Sequence, residues 1–314
     1  MKTITIFTPT YNRGYILKQL YDSLVRQTSK DFCWLIVDDG STDETRETIE
    51  EWIKKGDMDI RYYWQENGGK MRAHNYAASL ADSELFLCCD SDDYLTDDAV
   101  EKIVERWNNY TLSKDCISGI IGPKCVYKNN EKIENVVPLQ NTAMTYGDFS
   151  FRLGRVKEAF LVFVTEIIRR FPFPIQDGEK FIPEGYTYNQ LDNQYKMIPL
   201  KEELMICHYL SDGYSTNNRY LELMKNNPKG FALANNDYAK HLPWGKKKIA
   251  SSRNYVALSL YIGNGIFHTL HKSSTPILSI LVFPFAYLRL QVLKNIRENI
   301  HTPDSQKEKE SYFR

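Results

Sequence analysis

Three carboxylates follow directly after an apolar run in residues 85–95. Asp90, Asp92 and Asp93 come after LFLCC, a run that is typical of a buried β-strand. Carboxylates this close together repel one another, which predicts a positive charge among them. Their oxygen atoms suit a hard divalent cation, Mn²⁺ or Mg²⁺, that keeps part of its water and binds substrate phosphates. The stretch therefore predicts a metal site at the end of a strand.

A second acidic pair follows another strand-like run. Asp38 and Asp39 close the segment WLIVDD, and either carboxylate could accept a hydrogen bond from a nucleotide base or a ribose hydroxyl. The same residues also suit a turn, because Asp-Gly-Ser is favourable turn chemistry. Ser41 and Glu44 have the spacing of a capping box, which predicts the start of a helix here. The pair taken alone leaves both interpretations open.

The elements that must position these acids alternate between two hydrophobic periods. Strand-like runs at residues 3–8, 34–37, 60–64 and 85–89 are separated by helical patterns. Short connections between strands and helices predict crossover units and a parallel sheet. Ligands bind beyond the carboxyl ends of the strands in such sheets. The polar clusters TPTYNR, DDGSTD and DSDD should therefore meet in one cleft.

Composition excludes one class of partner and indicates a compartment. Forty basic and forty acidic residues cancel, so no nucleic-acid partner is expected. The six cysteines form no C-x-x-C pair, and the N-terminus turns polar too early for a signal peptide. Both observations predict a reduced, cytoplasmic setting.

Four segments taken together carry a family resemblance. TPTYNR, VDDGSTD, NGGKMRAHNYAA and DSDD resemble, in their order and spacing, the family 2 glycosyltransferases. The resemblance is close over about the first 105 residues and loose beyond them. It implies an α/β chain with the GT-A fold, a Rossmann-like and mostly parallel sheet flanked by helices, with a C-terminal helical extension.

The resemblance and the texture of the sequence divide the chain into four parts. Residues 1–106 would form the half of the GT-A domain that binds the nucleotide sugar, and residues 107–235 the half that binds the acceptor. Residues 236–300 are helical in texture and could associate with a membrane. Residues 301–314 read as a flexible tail.

The resemblance also implies a set of donor-binding residues. The implied nucleotide-sugar site comprises Thr8, Pro9, Tyr11, Asp38, Asp39, Asn67, Lys70, Arg72, Asn75, Asp90, Ser91 and Asp92. In this set Tyr11 would pack against the base and Asp39 would read the uracil edge. Asp92 would be the direct metal ligand, with Asp90 beside it and His208 as a third ligand.

The catalytic base is implied at a second acidic motif downstream. Family members commonly carry Glu-Asp before a helix, and the matching segment FIPEGYTYNQL has Glu184 followed by Gly185. The second acid is therefore missing, and Glu184 is the expected base. Asp192 and Asp177 are weaker candidates for the same role.

These expectations predict an enzyme that moves one sugar from a nucleotide-diphosphate donor, UDP-linked, to a glycan or lipid-linked glycan. The transfer would be metal-dependent and inverting, with a hexosyl or N-acetylhexosaminyl group, in cell-surface polysaccharide synthesis. A non-catalytic protein of the same fold that binds sugar nucleotides or glycans is one alternative. A sugar nucleotidyltransferase is another, although TPTYNRGY lacks the glycine-rich loop that such enzymes have.

Residues 240–300 combine two features that predict a surface location. They contain nine Lys or Arg residues against one acid, Glu298, and twelve consecutive uncharged residues at 277–288. Twelve residues are too few to span a bilayer, which needs about 20. The segment is either a buried core helix or an attachment to the anionic inner face of the membrane.

Overall fold

A computed structural model of the chain describes residues 2–129, 131–134, 142–152, 158–209 and 217–295. The expected flexible tail, residues 301–314, lies outside these described residues, as do residues 296–300 of the expected helical region.

The N-terminal part of the sheet is parallel and alternates with helices. Its strands are β1 (Ile4–Thr10), β2 (Phe32–Asp38), β3 (Ile60–Trp64) and β4 (Leu85–Cys88). The helices between them are α1 (Gly14–Val25), α2 (Thr45–Lys55) and α3 (Lys70–Leu80). β1 pairs in parallel with β2 and with β4, and β2 pairs in parallel with β3. Their carboxyl ends therefore lie at the same edge of the sheet.

Aromatic rings fill the space between this sheet and the first two helices. Tyr21 on α1 stacks on Trp52 of α2 with 4.3 Å between ring centroids, and Trp34 of β2 lies 5.9 Å from Trp52. The indole nitrogen of Trp34 donates a hydrogen bond of 2.9 Å to the Thr8 hydroxyl. Burial of these large rings stabilises the packing of β1 and β2 against α1 and α2, and thereby the position at which both strands end.

Beyond β4 the sheet becomes mixed. The further strands are β5 (Tyr94–Leu95), β6 (Ile117–Lys128), β7 (Glu131–Ile133), β8 (Ala159–Val164), β9 (Lys196–Pro199) and β10 (Met205–His208). The order across the sheet is β3-β2-β1-β4-β8-β6-β10-β5, and β7 and β9 also pair with β6. β8 is antiparallel to β4 and to β6, whereas β10 is parallel to β6. The antiparallel pair of β5 and β10 brings the acidic segment next to residues 205–208.

Helices of the second half surround the mixed part of the sheet and continue beyond it. They are α4 (Ala99–Asn108), α5 (Thr165–Arg170), α6 (Gly185–Asp192), α7 (Asn217–Asn226), α8 (Pro228–His241), α9 (Lys246–Tyr261), α10 (Ile266–Lys272), α11 (Pro276–Leu281) and α12 (Phe283–Asn295). A separate core around Phe231, Val256 and Leu290 joins α8, α9 and α12. Among the described residues, every helix is too short or too polar to cross a membrane.

Two details differ from the sequence pattern. The Ser41 hydroxyl accepts a hydrogen bond from the Asn12 backbone N–H instead of capping α2, and Asp43 accepts the bond from Thr45 at the helix start. The expected capping box therefore does not form. The expected division after residue 106 falls inside α4, and the division after residue 235 falls inside α8. The boundaries of the parts remain predictions.

Candidate active site

A cavity of about 350 Å³ opens at the carboxyl ends of β1, β2 and β4. Its wall is formed by Pro9, Thr10, Tyr11, Arg13, Asp39, Lys70, Asp90, Ser91, Asp92, Asp93, Lys124, Glu158, Cys207, His208 and Tyr209. The polar clusters after β1, β2 and β4 therefore meet in one cleft, as the strand order predicts.

Two of the three clustered carboxylates are already paired with lysines. The Lys70 ammonium at the start of α3 lies 2.8 Å from Asp90 Oδ1, and Lys124 of β6 lies 2.6 Å from Asp93 Oδ2. Burial raises the pKa of Asp90, but the charges of Lys70 and Lys124 outweigh it and leave that pKa below its ordinary value. The positive charge that the acids require is thus partly supplied by the chain itself.

Asp92 is the carboxylate of this cluster without such a partner. Within the described residues it forms no salt bridge, although the positive charge of Arg13 acts on it. Burial, together with the charges of Asp90 and Asp93, raises the pKa of Asp92 to about 6. A cation placed at this carboxylate would relieve the repulsion.

The donor set fits a hard cation that is shared with substrate phosphates. Within the described residues, no three His, Cys, Asp or Glu side chains form a group that could hold an ion by themselves. Mg²⁺ and similar ions commonly bind through one or two carboxylates together with water and substrate phosphates. Asp92, with Asp90 next to it, would be the protein ligands in such a site.

Asp39 supports the loop that leads into α3. Its carboxylate accepts hydrogen bonds of 2.6 Å from Gln65 Nε2 and of 2.8 Å from the backbone N–H groups of Gly68 and Gly69. A carboxylate can accept about four hydrogen bonds, so one more donor from a ligand can be accommodated. Asp38 is fully buried, accepts hydrogen bonds from Ser41 N and from the Tyr62 hydroxyl, and does not line the cavity.

Glu184 lies against Lys70, across from the acid cluster. Its Oε1 is 2.7 Å from the Lys70 ammonium, which therefore bridges Asp90 and Glu184. Burial lowers the pKa of Lys70, but these two carboxylates more than compensate and hold it well above its ordinary value. The expected base and the expected metal-site acid thus share one cation.

Tyr238 explains the glycine after Glu184. A Cβ atom at Gly185 would lie 2.7 Å from the Tyr238 hydroxyl oxygen and 3.3 Å from its ring. The rigid ring on α8 thus occupies the space where a second acid of the motif would begin. The motif therefore presents one acid, Glu184, beside Lys70.

His208 lies in the cavity wall with Asp92. Its Nε2 is 3.2 Å from the Tyr94 hydroxyl, and its ring stacks on Tyr127 with 4.9 Å between centroids. Burial lowers the pKa of His208, which favours the neutral imidazole that binds metals. Its role as a third ligand stays a prediction.

Several other expected donor-site residues have structural contacts outside the cavity wall. Thr8 is buried under Trp34, and Asn75 exchanges two hydrogen bonds, of 2.8 and 2.9 Å, with the backbone of Phe173. Asn67 donates to the Asp39 carbonyl and accepts from Lys180. Arg72 is exposed on α3, and its side chain packs over Gly68. Their contact with a donor stays a prediction.

The two weaker base candidates lie elsewhere. Asp192 accepts hydrogen bonds of 2.7 Å from Tyr146 N and Gly147 N and lines a separate cavity of about 170 Å³. Asp177 is exposed in the loop before α6, and its carbonyl accepts a hydrogen bond from Lys229. Of the three acids, Glu184 is the one with a described ion pair to a residue of the 350 Å³ cavity, Lys70.

Lys124 is a cavity residue that the motif reading missed. It stands inside the apolar strand segment GIIGPKCVY. A lysine within a buried strand is rare unless it is paired. That isolated charge was the available signal, but its partner could not be identified without the sheet order.

A comparison with known sequences identifies the family. Residues 5–173, more than half of the 314-residue chain, match the family described as Glycosyl transferase family 2. A teichoic acid poly(glycerol phosphate) polymerase of Staphylococcus epidermidis is 34% identical over 110 residues, which are 35% of this chain and 15% of that protein. The poly(ribitol-phosphate) β-N-acetylglucosaminyltransferase TarS of Staphylococcus aureus is 30% identical over 137 residues, or 41% of this chain and 24% of TarS. The chain thus matches a small part of each relative's length.

Solved structures confirm the expected GT-A type of fold. TarS residues 1–349 of S. aureus, in complex with UDP-GlcNAc, match with a TM-score of 0.58 at 16% identity, over 94% of this chain and 84% of that chain. The mannosyltransferase PcManGT of Pyrobaculum calidifontis, in complex with GDP-Man and Mn²⁺, matches with a TM-score of 0.51 at 16% identity, over 93% and 82%. Motif order, sheet topology and the matched residues agree, and the chain belongs to glycosyl transferase family 2.

Proposed function

We propose that the chain transfers one sugar from a nucleoside-diphosphate donor to a hydroxyl group of a glycan or lipid-linked glycan. The observation that carries this proposal is the ion triad of Asp90, Lys70 and Glu184 at the cavity. In this triad the Lys70 ammonium can bind phosphate, the Asp90 carboxylate can bind a metal and the Glu184 carboxylate can accept a proton. Both carboxylates lie within hydrogen-bond distance of the ammonium. The TarS complex with UDP-GlcNAc supports a UDP-linked hexosyl or N-acetylhexosaminyl donor.

The central step of the proposal is a change of ion-pair partner at Lys70, from the two carboxylates to the donor diphosphate. In the described structure the ammonium is 2.7 Å from Glu184 and 2.8 Å from Asp90. A donor diphosphate entering the cavity competes for the same ammonium, because phosphate forms strong charge-assisted hydrogen bonds. Lys70 would then neutralise charge on the leaving group, and Glu184 would be released from its ion pair.

Glu184 is then free to act as the base. It would take the proton from the acceptor hydroxyl as that oxygen attacks the anomeric carbon and the diphosphate leaves. One base and one displacement give inversion at the anomeric carbon. A metal at Asp92 and Asp90 would supply further neutralisation of charge on the leaving diphosphate.

A cell-surface polysaccharide as the product is supported by two relatives, which are named for teichoic acid and poly(ribitol-phosphate) substrates. The Glu184–Lys70 ion pair also suits the alternative of a non-catalytic sugar-nucleotide binder, since the Glu184 carboxylate is engaged by an ammonium and not by a substrate hydroxyl. Donor turnover separates the two functions.

Calorimetric titration of the full chain tests the donor class. UDP, GDP and dTDP are each titrated with Mn²⁺, with Mg²⁺ and with a chelator. We expect metal-dependent binding of UDP, followed by transfer or slow hydrolysis when UDP-sugars are supplied. Binding without turnover of any UDP-sugar or acceptor would favour the non-catalytic function, and no nucleotide binding would contradict both.

A further inference from the structure

The C-terminal helices expose an unusually apolar surface. Nine of the eighteen large hydrophobic side chains that lie exposed in the described residues fall within residues 266–292. Phe267 is 90% exposed, Ile277 75% and Leu281 66%. Half of these side chains therefore fall within one short part of the chain, and clustered exposed apolar side chains are a feature of interaction sites.

Helix α12 is apolar on two faces. Ala286, Leu290 and Leu293 are buried and belong to the core shared with α9. Phe285, Leu288 and Val292 are exposed, at the i, i+3 and i+7 spacing that places them on one other face of the helix. The first face explains the position of α12, whereas the second is unexplained by any contact among the described residues.

The same segment carries an excess of positive charge. Residues 240–295 contain no Asp or Glu. Lys246 and Lys247 at the start of α9, Lys272 at the end of α10 and Lys294 near the end of α12 are all exposed. A segment that combines exposed apolar side chains with exposed lysines and contains no acid complements a surface that is anionic outside and hydrocarbon inside, which is the composition of an acidic lipid bilayer.

We infer that α10, α11 and α12 form a docking face for an anionic membrane surface, named here the lipid face and defined by Phe267, Ile277, Leu281, Phe285, Leu288 and Val292. Insertion of these side chains to the level of the lipid head groups removes apolar surface from water. The lysines bind the anionic head groups. A second copy of the chain could cover the apolar residues, but it would bring like charges together.

The lipid face is connected to the candidate active site by packing. α12 packs on α9, α9 packs on α8, and α8 packs on α6, which begins directly after Glu184. A chain bound to a bilayer through the lipid face would hold the Glu184 region near acceptors that are anchored in the lipid. This last step rests on the proposed function, whereas vesicle binding does not.

Vesicle flotation with the full-length chain tests the inference. Neutral phosphatidylcholine vesicles are compared with vesicles that contain phosphatidylglycerol, at low and high salt. We expect the chain to float with the anionic vesicles, and to do so less at high salt because the charge attraction is screened. Equal recovery with both vesicle types, or no flotation with either, would overturn the proposal.

Paired variants separate the two contributions. Phe267→Ser with Leu288→Ser should weaken binding about tenfold or more, since two exposed anchors are removed. Lys246→Gln with Lys247→Gln should weaken binding to anionic vesicles about tenfold. Leu112→Ser, which is also in an exposed position, and Lys54→Gln are the matched controls and should float like the unchanged chain.

Sedimentation without vesicles examines the competing occupant. A dimer that the Phe267→Ser, Leu288→Ser variant abolishes, in a chain that does not float with anionic vesicles, would assign the face to a second copy. UDP binding by the same variant, measured by calorimetry, should be unchanged. A failure of the lipid face is therefore distinguishable from a failure of the proposed transfer.

Discussion

At the residue scale, the cavity is organised around shared lysines. Lys70 bridges Asp90 and Glu184, and Lys124 pairs with Asp93, so three carboxylates depend on two ammonium groups. Removing either partner of the buried Lys124–Asp93 pair would leave an uncompensated charge, which is more costly than the pair was favourable. Substitutions here should therefore be conservative in shape.

Glu184→Gln keeps the shape of the side chain and removes the base. We expect the rate of transfer to fall by about 10²–10⁴-fold, the usual contribution of general base catalysis. The Kd of the nucleotide should not weaken, because Lys70 loses a competitor for the diphosphate. Calorimetry and a product assay on the same preparation measure both. Glu202→Gln, an exposed position, is the control, and full activity of Glu184→Gln would move the base to another acid such as Glu158 in the cavity wall.

Asp92→Asn tests the metal ligand. The substitution removes the carboxylate that has no lysine partner within the described part of the chain, so we expect the Mn²⁺-dependent part of UDP binding to disappear and the metal-independent part to remain. Titrations with Mn²⁺ and with a chelator separate the two parts. Asp115→Asn, on an exposed loop, should behave as the unchanged protein. Unchanged metal dependence in Asp92→Asn would exclude its role as ligand.

The sequence allowed some residue positions to be predicted and not others. Pro9, Tyr11, Asp39, Lys70, Asp90, Ser91 and Asp92 lie in one cavity wall, because the ends of parallel strands share one edge of the sheet. The sequence did not predict which lysine pairs with which carboxylate. Lys124 is 31 residues from Asp93, and the pairing depends on the position of β6 in the mixed half of the sheet.

At the scale of elements, the loop before α3 and the loop before α6 are fitted together. Gly69 has a φ of +92°, and a Cβ at this position would lie 2.0 Å from the Lys180 carbonyl oxygen. Its N–H donates a hydrogen bond to Asp39, and Lys70 follows it in the chain. The loop before α3 and the segment that leads to Glu184 therefore constrain each other's position.

Gly69→Ala should disturb both loops. With φ +92° and ψ +158°, Gly69 has a backbone conformation that is essentially restricted to glycine and costs other residues about 1–3 kcal/mol, and the backbone contact with Lys180 requires an additional shift. We expect a lower free energy of unfolding and weaker UDP binding, measured by denaturant titration and calorimetry. Gly56→Ala is the control for a positive φ in open space, because Gly56 has a φ of +71° in the left-handed helical region and no neighbour within 4 Å. Equal losses in the two variants would show that the contact with Lys180 has no effect.

Regular elements were predicted better than their ends. The apolar periods correctly predicted helices such as α1 and α3 between the strands, since both bury one face against the sheet. The start of α2 was misassigned, because Ser41 bonds to Asn12 in the neighbouring loop, a contact between strand ends that local sequence does not encode.

At the scale of the whole molecule, the C-terminal helices support the candidate base. Asn227 before α8 accepts hydrogen bonds of 2.9 and 3.0 Å from the N–H groups of Lys180 and Phe181. Glu179 in turn accepts from the N–H groups of Lys229 and Gly230 at the start of α8. The segment 179–181 and the helix N-terminus satisfy each other's backbone groups. The helical region is thus part of the active-site architecture.

Asn227→Ala tests this support. It removes the acceptor for two N–H groups, and we expect a loss of about 1–3 kcal/mol in the free energy of unfolding. Transfer should slow, and the Kd of UDP should weaken less than in Gly69→Ala, because the change reaches the loop before α3 only through Lys180. Asn226→Ala, an exposed neighbour, provides the control. A stability loss with unimpaired turnover would show that α8 does not position Glu184.

The cavity wall extends from Pro9 to Tyr209 along the chain, and this span has a consequence for folding. During synthesis the strands β1 to β4 are complete long before β10 exists, so the nascent chain carries the acid cluster without its opposite wall. Distant strands pair late, because the entropy of closing the intervening chain must be overcome first. Nucleotide binding would therefore report completed folding, and added nucleotide should slow unfolding without accelerating refolding.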